Sequence, residues 1–238
     1  MDPKHAAYRK LRGLPPGEWE TPVAQRALEG QLQAMANDAA CRTSGECVAS
    51  GRRTDSIVKA VKASLSGKAE VRKAGSQAKH TDISSSDLDL WVGVGDAGVS
   101  RAQRKNLRDN LVSMLTKGGL KPTRVVLRET SVRLEYKKGH VDIVFDKVNE
   151  KVHSKPMPRL KNNPKARAAV RLIKEGCPQK LKGDAIEKKV IAAQQQKKGQ
   201  RIQELIVVAL GLLATESQVK QCVAYLNSQL TGGVRVQL

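Results

Sequence analysis

Two short segments of this 238-residue chain alternate acidic and apolar side chains, and they restrict its folding more than any other feature. Residues 87–92 read Asp-Leu-Asp-Leu-Trp-Val, and residues 140–145 read His-Val-Asp-Ile-Val-Phe. In a β-strand alternate side chains share a face, so Leu88, Leu90 and Val92 can line a core while Asp87 and Asp89 project together from the other side. The same rule turns Val141, Ile143 and Phe145 inward and Asp142 outward. Asp142 lies 53 residues after Asp89, room for a helix and two further strands before the chain returns beside the first pair. An Asp-x-Asp pair alone often marks no more than a strand end with solvated charge. Three carboxylates meeting on neighbouring strands can instead hold two divalent cations, roughly 3.5–4 Å apart in two-metal sites.

A Gly-Ser turn, Gly75-Ser76, precedes the first acidic pair by a loop of ten residues. Gly75 lets the backbone approach a phosphate closely, and Ser76 offers amide and hydroxyl donors. Together, GSQAKHTDISSSDLDLWV and the later Asp142 resemble the DNA-polymerase-β-type nucleotidyltransferase superfamily. Within it they are most similar to the branch of oligoadenylate synthases, cyclic-dinucleotide synthases and archaeal-type CCA-adding enzymes. The segments NNPKARAAVRLIKEG and GQRIQELIVVAL resemble that branch's helical second domain. The resemblance implies an α/β (α+β) fold: a small mixed or antiparallel sheet with helices, facing a helical second lobe across a cleft. It also implies transfer of a nucleoside monophosphate from an NTP, with ATP favoured, to a hydroxyl. Asp87 and Asp89 would then bind two Mg²⁺ ions, with Mn²⁺ as a substitute, and Asp142 would bind the one that activates the acceptor. Gly75, Ser76 and Lys174 would hold the triphosphate.

Charge gives an independent indication. The net charge is +20, and residues 151–201 carry 15 Lys and Arg against 3 acidic residues. Such a segment reads either as a solvated helical surface or as a polyanion-binding wall; beside a triphosphate site the second is favoured, with RNA or another nucleic acid as partner. Aromatics make up only 3%, so contacts are expected to phosphate more than to bases. Arg167, Arg171 and Lys174 fall on one side of a helix, a like-charged ridge that an anion would relieve. This marks Lys174, and after it Arg171, as phosphate contacts. The family usually has an aromatic two positions after this lysine; here Gly176 stands there.

Cys41, Cys47, Cys177 and Cys222 show neither zinc-ligand spacing nor a disulfide framework, which suits reduced thiols in an intracellular, non-secreted protein. No apolar run reaches membrane-spanning length, and the opening residues lack a secretory core. Gly93 to Gly98 match the dinucleotide-binding pattern G-x-G-x-x-G. The match is set aside because no acidic residue follows at the ribose position and the next segments read as hairpins. His80 reads as a solvated loop residue, and Asp82 and Asp146 as acidic neighbours of the site.

Periodicity predicts helices over Pro22–Ala40, Thr54–Leu65 (capped by Thr54) and Arg101–Leu115, and strands near 69–74, 123–128, 131–136 and 140–145. Residues 1–20 and 41–51 read as irregular, and 149–164, with three prolines, as a connection. Helical stripes follow to the end. The expected division is residues 1–150, a catalytic lobe including the N-terminal helices, and 151–238, a basic helical lobe. Three functions remain open at this stage: a template-independent transferase extending RNA or an oligonucleotide, a synthase of linear or cyclic oligonucleotide signals, and a non-catalytic nucleic-acid-binding protein. Oligomeric state is not encoded in any recognisable feature.

Overall fold

The alternating segments lie on adjacent strands of one five-stranded sheet. The strands β1 (Glu70–Lys73), β2 (Leu88–Gly93), β3 (Arg124–Leu127), β4 (Ser131–Glu135) and β5 (His140–Val144) run in the order β1-β2-β5-β4-β3. β2 and β5 are parallel, and the other neighbours are antiparallel. A parallel pair needs a long crossover, supplied here by helix α4 (Arg101–Lys117) and the β3–β4 hairpin. The remaining helices are α1 (Pro22–Asp38), α2 (Gly51–Ser64), α3 (Gly75–Lys79), α5 (Pro158–Lys161), α6 (Pro164–Gly176), α7 (Gly183–Gln196), α8 (Ile202–Leu213) and α9 (Glu216–Gln229). This computed structural model describes residues 22–40, 51–65, 70–83, 86–93, 100–137, 139–145, 158–177, 181–196, 201–231 and 234–237. Asp146, Cys41, Cys47, the stretches read as irregular at 1–20 and 41–50, residues 94–99 of the glycine pattern and most of the proline-bearing connection lie outside them.

One face of the sheet is apolar because the alternation demands it. Leu88, Leu90, Val92, Val132, Leu134, Val141 and Ile143 pack with Ile57 and Val61 of α2 and with Leu107, Leu111 and Leu115 of α4. The three α4 leucines follow one helical stripe at i, i+4, i+8, and burying each contributes about 1.5–3 kcal/mol. Ser100 starts that helix through a capping box with Gln103, worth only about 1 kcal/mol. Packing therefore anchors α4, and the cap sets where it begins. The other face is polar. There Trp91 shares a side with Asp89, lies against Gly93 and is covered by the Arg72 guanidinium, 5.5 Å from the ring centroid.

The chain divides into two compact units, Cys41–Pro158 and Met1–Ala40 with Arg159–Leu238. α1 belongs to the second of these units, together with α6, α7, α8 and α9. Its buried Leu28, Leu32 and Ala36 turn toward α6 and α8. Glu29 of α1 accepts from the Ile202 amide at 3.0 Å and so caps α8. Two local readings also shift. α2 begins at Gly51, which puts Thr54 inside the first turn, and Pro164 opens α6, where its missing N–H costs nothing, behind the capping side chain of Asn163. Among the described residues no helix is long and apolar enough to cross a membrane.

Candidate active site

Gly75 has φ +57°, left-handed backbone that glycine enters without strain. A side chain is excluded there for a second reason: a Cβ would stand 1.9 Å from Oδ2 of Asp89. The Ala74 amide donates to the Asp89 carbonyl at 2.8 Å, so the bend is tied to β2 at the acidic residue itself. The bend continues into α3, one short helix of five residues, whose end His80 adopts φ 57° and whose Ser76 carbonyl accepts from the Thr81 amide at 2.9 Å. Thr81 and Asp82 behind it are buried.

Asp89 and Asp142 are direct partners in the parallel β2–β5 ladder, and Asp142 is in turn the direct partner of Arg133 on β4. The row Asp89, Asp142, Arg133 crosses three strands on the polar face. Arg133 grips Asp142 with two prongs, Nε to Oδ1 at 2.7 Å and Nη2 to Oδ2 at 2.5 Å. That hydrogen bonding, helped by the charges of Asp142, Asp87 and Glu135, holds the guanidinium above its ordinary pKa despite burial. A second row begins at Asp87, immediately before β2. Its Oδ1 accepts from the His140 amide at 3.1 Å and lies 2.8 Å from His140 Nδ1, while His140 Nε2 lies 3.3 Å from Asp142 Oδ2. His140 therefore bridges the first and third carboxylates.

The structure thus brings Gly75, Asp87, Asp89 and Asp142 together. Carboxylate oxygens on two rigid strands are the hard donors that Mg²⁺ takes, and the side-chain-free space at Gly75 opens onto one of them. In kind, carboxylates are donors that a divalent cation takes. Among the described residues, however, no three acidic, histidine or cysteine side chains converge as a metal cluster. Arg133 and His140 engage oxygens of Asp142, and His140 also engages Asp87. Sequence reasoning missed both residues. Arg133 could have been found from the hairpin, since closing β4 on β5 through Tyr136–Gly139 puts Glu135 opposite His140 and Arg133 opposite Asp142.

Each cation of the expected ridge on α6 meets a group of the protein. Arg167 donates to the carbonyls of Leu160 and Lys161. Arg171, the second expected phosphate contact, is 5% exposed and donates to the Ala36 carbonyl at 3.4 Å, linking α6 to α1. Lys174 places its ammonium 3.3 Å from Glu187 Oε1, against Gly183, where a Cβ would come within 3.4 Å of it. Glu187 thus supplies a counter-charge to Lys174, while neutral carbonyl oxygens accept from Arg167 and Arg171. Gly176 admits an aromatic from another helix: its absent Cβ would lie 3.0 Å from the Tyr225 ring of α9.

No protein-family profile matches the chain, and no curated protein sequence resembles it. Solved structures do share its fold. The GLD-2/RNP-8 complex aligns with TM-score 0.57 at 14% identity, over 81% of this chain and 82% of that one. The non-canonical poly(A) polymerase complex GLD-2–GLD-3 aligns with TM-score 0.52 at 14% identity, over 77% and 74%. Cid1, described for its RNA terminal uridylyl transferase activity, aligns with TM-score 0.52 at 16% identity over 70% of this chain, which spans 54% of that chain's length. At these identities the likeness is one of fold. The narrower branch of oligoadenylate synthases, cyclic-dinucleotide synthases and CCA-adding enzymes rests on the sequence motif alone.

Proposed function

We propose that this chain is a template-independent nucleotidyltransferase that moves a nucleoside monophosphate from an NTP, ATP by preference, to a hydroxyl of RNA or an oligonucleotide. One observation carries the reading: Asp89 and Asp142 stand side by side on parallel strands, with the glycine bend seated on Asp89. Shared fold with a poly(A) polymerase complex and a terminal uridylyl transferase supports it. The hydroxyl oxygen of the acceptor attacks the α-phosphorus, the bond to the bridging oxygen of the β-phosphate breaks, and pyrophosphate leaves. Asp87, Asp89 and Asp142 would hold divalent cations, which when bound neutralise charge on the phosphates and on the attacking oxygen. Gly75 and Ser76, the first residues of α3, have no carbonyl one turn back to bond and can turn their amides to a phosphate. Asp142 is the group assigned to take the hydroxyl's proton. Most of the rate would come from positioning and charge neutralisation. Lys174 enters this reading through the family resemblance and the charged ridge of α6, and Arg171 through that ridge alone. Exposed Arg159, Lys161, Lys165, Lys182 and Lys188 of the helical unit are the cations offered to a nucleic-acid backbone.

Incubating the purified chain with Mg²⁺ or Mn²⁺ and each labelled NTP, with and without RNA, tests the proposal. Lengthened RNA with released pyrophosphate supports it. New small oligonucleotides formed without RNA indicate a signal synthase instead, and absence of pyrophosphate under every condition leaves a nucleic-acid-binding protein. Asp87→Ala should abolish product while leaving RNA affinity the same or tighter.

A further inference from the structure

Arg133 is the one feature of the polar row that works against a divalent cation. A carboxylate offers about four lone-pair positions, and Arg133 takes one on each oxygen of Asp142 while His140 Nε2 approaches Oδ2 at 3.3 Å. The two-pronged fork is the strongest arrangement an arginine makes with a carboxylate. Its side chain and that of Asp142 are only 22% and 16% exposed, so water screens the pair weakly. A fixed positive charge within 3 Å of a ligand oxygen opposes a second cation there. The arginine is also placed by the fold and not by chance: β4–β5 register makes it the direct cross-strand partner of Asp142.

We infer that Arg133 is a positioning residue that holds Asp142 and lowers the site's affinity for divalent metal until this grip is loosened. Resting on the nucleotidyltransferase reading, the inference adds to it a built-in control on metal occupancy. The three carboxylates bring three negative charges, and Arg133 removes one of them at the strand nearest the acceptor-side ligand. Metal binding at Asp142 therefore requires either displacement of the fork or a cation bound against it, and both weaken the complex.

The test titrates the full-length protein with Mn²⁺ alone, reading free metal by electron paramagnetic resonance, for wild type, Arg133→Lys and Arg133→Gln. Glutamine keeps a hydrogen-bond donor for Asp142 without the charge, and lysine keeps the charge without the fork. Affinity should rise in the order wild type, Lys, Gln, with the Gln protein binding about tenfold tighter or more. In the transfer assay the metal concentration for half-maximal rate should fall in the same order, a shift that a purely structural role would not produce. Equal or weaker Mn²⁺ binding by the Gln variant at unchanged melting temperature overturns the inference. If the Gln protein does not fold, a Lys variant binding no tighter than wild type overturns it equally. Tighter binding in a chain that transfers no nucleotide upholds the role of Arg133 and removes the enzymatic reading, whereas transfer with unaltered metal affinity does the reverse.

Discussion

Gly75 and Asp89 lie so close that no side-chain atom can be added to the first without displacing the carboxylate of the second. The bend and the acidic strand are therefore one unit of structure. This ties two motifs fourteen positions apart in sequence to a single steric fact, and it makes the glycine a sharper probe of the site than either carboxylate.

Gly75→Ala should cut nucleotide transfer about 100-fold or more, because displacing a ligand by an ångström is enough for that loss. The left-handed backbone adds a stability cost of roughly 1–2 kcal/mol. Single-turnover kinetics beside a denaturant melt separate the two effects. A variant with wild-type turnover would break the link between the bend and Asp89.

Glu187 is 1% exposed and faces the ammonium of Lys174, itself only 11% exposed. Removing one member of such a pair strands the other, so Glu187→Ala should destabilise the chain by about 3–5 kcal/mol. Replacing both at once, Lys174→Met with Glu187→Leu, should recover most of that loss. Urea unfolding of the three proteins is the measurement, and a single variant that unfolds at the wild-type midpoint would contradict the pairing.

Ser100 accepts from the Gln103 amide, and its own amide donates to the Gln103 side chain at 2.8 Å. Ser100→Ala should lower stability by about 1 kcal/mol, through the start of α4 alone. Amide exchange should quicken in the first turn and stay unchanged at Leu111 and Leu115. Uniform quickening along the helix would show that the cap does more than this.

Cys177 and Cys222 are buried free thiols that share a hydrogen bond. Bonding to Cys222 lowers the Cys177 pKa against the opposing effect of burial, while bonding to Cys177 and burial push Cys222 far up. The thiolate of Cys177 thus forms at lower pH than that of an isolated thiol, and Cys222 stays protonated. Cys222→Ala should move the onset of Cys177 alkylation to higher pH, measured by mass spectrometry of the folded protein. An onset that stays put, or moves down, would show that the thiol pair does not control Cys177.

Much of the sheet was legible because period-2 alternation depends only on which face is buried. Leu88, Leu90, Val141 and Ile143 are each fully buried, as that alternation requires. The spacing from Asp89 to Asp142 anticipated a helix and a hairpin, and α4 with β3 and β4 fills it. Partnership across elements was harder to read. The stripe on α1 announces a buried face without saying which surface will cover it, so its place beside α6 and α8 could not be inferred. The carbonyls of Leu160, Lys161 and Ala36 that accept from Arg167 and Arg171 are likewise invisible in a pattern of side chains. Arg133 was overlooked for a related reason: its meaning comes from the rung it occupies, not from its neighbours in sequence.

The rung shared by Asp89 and Asp142 also dictates where this chain can tolerate length changes. Slipping β5 by one residue against β2 would turn Val141 or Ile143 outward and bury the aspartate among leucines, inverting every position of the strand at once. Insertions within β5 should therefore disrupt the fold and the chemistry together, whereas added length at exposed Glu129, just before Thr130 accepts from the Phe145 amide, should disturb the alignment least.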